Sequence, residues 1–307
     1  MSPSVDFAAR LAAVAERIDG VLEALLSPQP QPGETARPPR LIGAMRHACL
    51  SGGKRLRPFL LVETARMLGR DGDGVLRAGA AVELMHCYSL VHDDLPAMDD
   101  DDLRRGKPTV HCAFDEATAI LAGDALQALA FAVLAEPATD PDSQVRAELV
   151  LGLARAAGIG GMAGGQMLDL AAEGRYGSAA LSEAEVRRLQ AMKTGAILTF
   201  AVEAGAILGR ASSPDRERLV AFGRALGAAF QIADDLLDRE ASAAAAGKRT
   251  GKDRDRGKAT LVDLLGIDGA RRECTRLADE AIACLSGFGA SAEPLRRAGC
   301  FAIERRS

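Results

Sequence analysis

Tryptophan is absent from the chain, tyrosine occurs twice, and aromatic residues make up 4% of the whole. Base-stacking platforms are excluded at that density, and a formal net charge of -4 leaves no global basic surface for a polyphosphate backbone. Nucleic acid is therefore not expected as a partner. The six cysteines, Cys49, Cys87, Cys112, Cys274, Cys284 and Cys300, contain no CxxC pair, and most fall in apolar stretches of helical spacing. Buried free thiols in a reducing compartment are expected, rather than disulfides or zinc. Runs of 18 consecutive apolar residues are missing, so no membrane insertion is expected. The first 30 residues scatter Asp6, Arg10, Glu16, Arg17, Asp19 and Glu23 through an amphipathic pattern, unlike a targeting segment. A cytoplasmic protein is the expectation. Also missing are a GxxxxGK[ST] phosphate loop and a recognisable Ser, His and Asp constellation.

What is present is apolar periodicity of about 3.6 residues almost throughout, without the β-branched and aromatic runs of strands. With 307 residues and 48% apolar side chains, a sizeable core is available. The pattern predicts an all-α fold in a single domain, 1–307. Helices are expected near 5–26, 40–50, 58–68, 76–98, 115–134, 183–208, 215–239, 261–285 and 292–304, with another opening at 142. Pro28, Pro30, Pro32, Pro38 and Pro39 form a connection, too short and too early to divide two cores.

The segment HDDLPAMDDDDLRRGK, 92–107, places six aspartates in ten positions directly before Arg104, Arg105 and Lys107. It follows an apolar helix. Carboxylates at the end of a buried helix repel one another unless a cation neutralises them, and hard divalent cations prefer oxygen ligands. On an ideal helix Asp99 lies about 120° away from Asp93, so the two share a cation only if the helix ends or bulges between them. Pro96 supplies a reason for that break. Asp101 and Asp102 read as solvated neighbours.

A second cluster lies in FQIADDLLD, where Asp234 and Asp238 are four apart and Gln231 and Asp235 lie in the same broad stripe. Lys54, Arg55 and Arg57 follow a Gly-Gly turn at a helix start, which reads as a phosphate cradle or a solvated basic turn. Lys193 sits among apolar residues, where burying an unpaired charge is costly; an anionic ligand or a snorkelling stem resolves it. Five glycines surround Met162, Gln166 and Asp169 are one turn apart, and Gly123 permits close helix packing beside Asp124. The charged stretch after residue 240 carries Lys248, Lys252 and Lys258 and reads as a lid or a linker. Helix bundles build metal sites from facing carboxylates. Magnesium usually completes its shell with water and substrate phosphates, so the pattern suggests a diphosphate-bearing ligand. Metals clustered on a diphosphate make it a leaving group, which points to chemistry through a carbocation.

GGKRLRP, SLVHDDLPAMDDDDLRRGKPTVH, AGDALQALAF, GGQMLDL, MKTGAI, FQIADDLLD and GKATL occur in that order and cover nearly the whole chain. Together they resemble the short-chain trans-prenyltransferases (isoprenyl diphosphate synthases), most closely the bacterial fifteen-carbon type. The resemblance implies ten or more helices around a deep central cavity and a homodimer. It implies magnesium, expected as three ions with manganese as a substitute, held by Asp93, Asp99 and Asp234 with Asp94 and Asp238 in support. The allylic diphosphate would be bound by those metals with Arg104, Lys193, Lys248 and Lys258, and isopentenyl diphosphate by Lys54, Arg57, His86 and Arg105. Thr194, Gln231 and the Lys193 carbonyl would stabilise the cation, with Gln166 and Asp169 behind them.

Product length would be set by the wall beneath Asp93, where Ser89 and Tyr88 lie about 6 to 7.5 Å deeper along the helix. The aromatic at 88 and the DDxxxxD spacing resemble fifteen-carbon producers, implying condensation of isopentenyl diphosphate with dimethylallyl and geranyl diphosphate to (2E,6E)-farnesyl diphosphate. Geranylgeranyl diphosphate synthesis is the nearest rival. A terpene cyclase would carry an NSE-type second motif in place of DDxxD, and a noncatalytic partner subunit would typically have lost one aspartate motif.

Overall fold

The computed structural model describes residues 3–177, 181–246 and 260–304. More than ten helices run through them, the all-α class that the periodicity predicts. Two compact units divide the chain, one comprising 1–153 with 207–209 and the other 154–206 with 210–307.

The first unit is built on α4 (Asp73–Asp93), which packs against α1 (Pro3–Leu25), α2 (Pro39–Cys49), α3 (Leu56–Met67) and α6 (Glu116–Ala135). A helix apolar on all sides must be enclosed by others, and α4 is buried almost all round, from Val75 through Met85 to Val91. Contact with α6 is close because Gly123 has no side chain: a Cβ there would overlap the His92 ring, whose Nε2 sits 3.1 Å from the Ile120 carbonyl. Asp124, beside that glycine, is exposed and lies 3.9 Å from His92. By length and composition, Glu116–Ala135 and Glu183–Leu208 are apolar enough to cross a membrane; α6 is packed on α4 and α2.

Where strands were not expected, a short antiparallel hairpin forms between β1 (Leu103–Arg104) and β2 (Lys107–Pro108), with Arg104 opposite Lys107. Its two turn residues, Arg105 and Gly106, have φ of 53° and 74°. Two-residue hairpin turns of type I′ require positive φ at both positions. A pair of two-residue strands is too short for any period to reveal. The hairpin leads into α5 (Val110–Ala113), and α7 (Ser143–Ala157) follows α6.

The second unit contains α8 (Met162–Ala172), α9 (Glu183–Gln190), α10 (Ala196–Leu208), α11 (Ser213–Ala246), α12 (Leu261–Cys284) and α13 (Glu293–Glu304). Val186, Ala229, Ile232, Leu236, Leu261 and Leu277 belong to one buried cluster joining α9, α11 and α12. Reciprocal capping boxes open two of these helices, Ser182 with Glu185 and Thr260 with Asp263.

Three predicted boundaries shift. The helix expected to reach 98 ends at Asp93, because Pro96 cannot continue the ladder. The helix expected over 183–208 is interrupted by a π-helical turn, Ala191–Gly195. The helix expected to stop at 239 continues to Ala246. Cys49, Cys87 and Cys274 are buried and Cys284 and Cys300 half-buried, none of them in a disulfide, whereas Cys112 is exposed on the one-turn helix after the hairpin.

Candidate active site

The chain after α4 turns back on its own end. The Asp99 amide donates to the Asp93 carbonyl at 2.8 Å, Met98 N to Leu95 O at 2.8 Å, and Asp101 N to Asp94 O at 3.3 Å. This turn removes the helical phase that would have separated Asp93 from Asp99. Asp94 faces inward. Its Oδ1 accepts from Arg104 Nε at 2.7 Å and Nη2 at 2.5 Å, and Arg104 also reaches Asp101 at 3.3 Å. Burial raises the Asp94 carboxyl above its ordinary range, against the pull of Arg104. In this structure Asp94 and Arg104 are therefore an ion pair, and Asp101 is a partner in it.

The basic turn before α3 separates into different jobs. Arg55 is buried at φ 49°, with Nε on Asp19 at 2.8 Å, Nη1 on Glu83 at 2.7 Å and Nη2 on the Cys49 carbonyl at 2.6 Å. It fastens α1, α2 and α4 together, so the three-cation cradle is reduced to exposed Lys54 and half-buried Arg57. An Arg57 guanidinium nitrogen lies 3.3 Å from His86 Nε2. Burial first, and then Arg57, push the His86 pKa well below its ordinary value, so the imidazole is neutral and its Nε2 accepts from Arg57. Arg105 Nη1 donates to the Gly52 carbonyl and covers Gly53, where a Cβ would overlap the guanidinium. Lys54, Arg57, His86 and Arg105 are thus gathered around the Gly-Gly turn and the last turns of α4.

Arg104 and Arg105 also border a cleft of about 390 Å3 of empty space, with Ser51, Cys87, Val91 and Asp94 among its lining residues. One to two turns before Asp93, Ser89 Oγ donates to the His86 carbonyl at 2.9 Å. The Tyr88 ring meets His92 edge-on at 5.1 Å, and burial raises its phenol's pKa, with Gln127 of α6 pulling the other way.

In the second unit, the π turn carries Lys193 and Thr194. π turns are rare and occur frequently at functional sites. The α8 helix lies against this one, and Gly165 makes that possible: a Cβ there would overlap the Lys193 amide nitrogen. Lys193 Nζ pairs with Asp169 Oδ2 at 2.5 Å, which supplies within the chain the countercharge its apolar surroundings demand. Gln166 Nε2 is buried without a hydrogen-bond partner among the described residues.

On α11, Asp235 is held by Gln231 Nε2 at 2.9 Å and Gln190 Nε2 at 2.8 Å. Burial drives its pKa up to about 6, with Asp234 and Asp238 adding to the rise and the two amides opposing it. Gln231 is thereby tied to a carboxylate in this structure. Gln190, on α9, is a supporting residue that the sequence reading missed, since a lone glutamine on an amphipathic helix gives no signal. Lys248 and Lys258 lie outside the described residues.

The chain matches the polyprenyl synthetase family over residues 38–286. It is 42% identical over 282 residues to the farnesyl diphosphate synthase of Escherichia coli (strain K12), covering 90% of each chain. Against the Haemophilus influenzae farnesyl diphosphate synthase it is 44% identical over 278 residues, covering 90% of this chain and 91% of that one. A crystal structure described as an FPP/GFPP synthase from Zymomonas mobilis superposes with a TM-score of 0.87 at 47% identity, covering 98% of this chain and 100% of that one. Carboxylates at the end of α4 and on α11, basic residues at the Gly-Gly turn and a lysine on a π turn all fall inside the matched region, and the chain belongs to the polyprenyl synthetase family.

Proposed function

We propose that the chain is a magnesium-dependent farnesyl diphosphate synthase, condensing isopentenyl diphosphate with dimethylallyl and then geranyl diphosphate. The observation that carries this reading is the likeness to bacterial farnesyl diphosphate synthases over nine-tenths of the chain, with both aspartate motifs retained. The donor set fits magnesium: Asp93 and Asp99 are joined by one backbone hydrogen bond, Asp234 and Asp238 flank a third carboxyl, Asp235, whose pKa burial raises and their charges raise further, and every ligand atom would be an oxygen. Asp94 supports through Arg104. Magnesium, when bound, neutralises the allylic diphosphate and makes it a leaving group.

The protein's own residues do the rest. Arg104 and Lys193, each exchanging a carboxylate partner for phosphate oxygens, are assigned to the allylic diphosphate together with Lys248 and Lys258. Lys54, Arg57, His86 and Arg105 are assigned to isopentenyl diphosphate. Thr194, Gln231 and the Lys193 carbonyl turn their dipoles on the allylic cation as the carbon and oxygen bond breaks. The isopentenyl double bond attacks, and a proton leaves to the departing diphosphate. We assign the enzyme to the cytoplasm as a homodimer; exposed Ile120 and Leu121 on α6 give it an apolar face.

The product assignment rests on Tyr88 and Ser89 beneath Asp93. The Zymomonas neighbour's description names two product lengths, so the longer product is the competing reading. Incubation with isopentenyl diphosphate and either dimethylallyl or geranyl diphosphate, with and without magnesium, is expected to give farnesyl diphosphate only with the metal. Tyr88→Ala should lengthen the product; an unchanged product would place the floor elsewhere, and no elongation with any primer would remove the catalytic assignment.

A further inference from the structure

The hairpin after the first aspartate motif assembles a group of side chains that the prenyl-transfer reading does not use. Its register pairs Leu103 with Pro108 and Arg104 with Lys107. The ladder extends one step further, since Thr109 N donates to Asp102 O at 3.0 Å. Asp102 is thereby brought against the first turn of α5, which carries His111 and Cys112. Cys112 Sγ lies 3.5 Å from Asp102 Oδ1 and 3.4 Å from His111 Nε2. One atom from each of the three residues lies within 4.8 Å of the others.

We propose that Asp102, His111 and Cys112 form a binding site for a borderline-soft divalent cation of the zinc class, separate from the magnesium aspartates. Zinc takes thiolate sulfur at about 2.3 Å and imidazole nitrogen or carboxylate oxygen at about 2.0 to 2.2 Å, in tetrahedral geometry. Two ligand atoms on a tetrahedron with those bond lengths stand roughly 3.5 Å apart, which is the spacing seen on both sides of Cys112. Behind the imidazole, Thr109 Oγ1 lies 3.1 Å from His111 Nδ1, and Thr109 is buried. A metal-ligating histidine characteristically gives its other ring N–H to such a partner, which fixes the tautomer and leaves Nε2 with a lone pair. In that tautomer Nε2 and the Asp102 carboxylate are two acceptors facing one thiol proton, and a cation satisfies both.

Sulfur and nitrogen donors select against magnesium. Three protein ligands leave a fourth position to water, as in an open zinc site. Binding releases the Cys112 proton to solvent and ties Asp102 to α5 across the base of the hairpin that carries Arg104 on its first strand and Arg105 in its turn.

The test is a cobalt titration of the reduced full chain, with magnesium and inorganic diphosphate in excess so that the aspartate motifs are occupied. Cobalt bound to a thiolate gives a near-ultraviolet charge-transfer band that carboxylates cannot produce. The expected result is one equivalent of that band, displaced by zinc and absent in Cys112→Ser, whose prenyl transfer with magnesium is unchanged. Asp102→Asn should weaken cobalt binding at least tenfold, and Thr109→Val about tenfold through the imidazole. No band in the wild-type chain, or a band undiminished in Cys112→Ser, overturns the proposal.

Discussion

His86 and Arg55 both serve the basic turn before α3, His86 beside Arg57 and Arg55 on Glu83, yet the fold uses them oppositely. The neutral imidazole of His86 is favoured in the folded chain, while the unfolded chain takes up a proton near pH 6.5. A lowered folded pKa means stability that is complete above about pH 6.5 and is lost as pH falls from there through the folded value, by up to about 1.4 kcal/mol per pH unit. Urea unfolding at pH 7.5 and 5.5 should therefore show a loss in the wild type that His86→Asn reduces; equal losses would contradict it. Arg55 carries its charge inside, against Glu83. Arg55→Met leaves that carboxylate buried without its cation and should cost about 3 to 5 kcal/mol in urea unfolding. Lys54→Met, one position away and exposed, should stay within about 0.5 kcal/mol while raising the KM for isopentenyl diphosphate. The residue types announced three cations, and only burial separates the structural one from the others.

At the scale of elements, the interruption of the helix over 183–208 is the clearest instance of structure that periodicity does not carry. Apolar spacing continues through Ala191–Gly195, so the helix was legible and its π turn was not. One extra residue per turn is accommodated by packing against α8, and the glycine-rich stretch around Met162 was the sequence trace of that contact. Gly165→Ala would drive α8 off the Lys193 backbone. A loss of about 1 to 3 kcal/mol is expected from such overpacking, with a fall in kcat as Lys193 and Asp169 separate; wild-type kcat in a folded variant would refute the link. The end of α4 was the opposite case. Pro96 announced the break, and the turn that carries Asp99 back to Asp93 follows from it.

Over the whole molecule, each compact unit carries one aspartate motif, Asp93 with Asp99 in the first and Asp234 with Asp238 in the second. If the motifs hold magnesium diphosphate as proposed, ligand binding stabilises the native chain by mass action, about 2.7 kcal/mol at roughly a hundredfold the Kd. Magnesium with inorganic diphosphate should then raise the Tm of the wild type by a few degrees, and either Asp93→Asn or Asp234→Asn should abolish most of that rise. A full rise in one variant would show that its motif does not hold the ligand.

The sequence by itself determined the helical class, because apolar spacing near 3.6 residues is a local property, and it determined the family, because seven motifs keep their order. It also named the residue types of the proposed diphosphate site. Tertiary structure alone decided which charges are spent inside the fold: Asp94 on Arg104, Arg55 on Glu83 and Lys193 on Asp169. It alone set Gln190 on Asp235 and Asp102 beside Cys112. These pairings join residues from different helices, or close a loop through a hairpin of two-residue strands, and the burial that makes a partner necessary exists only once the chain has packed.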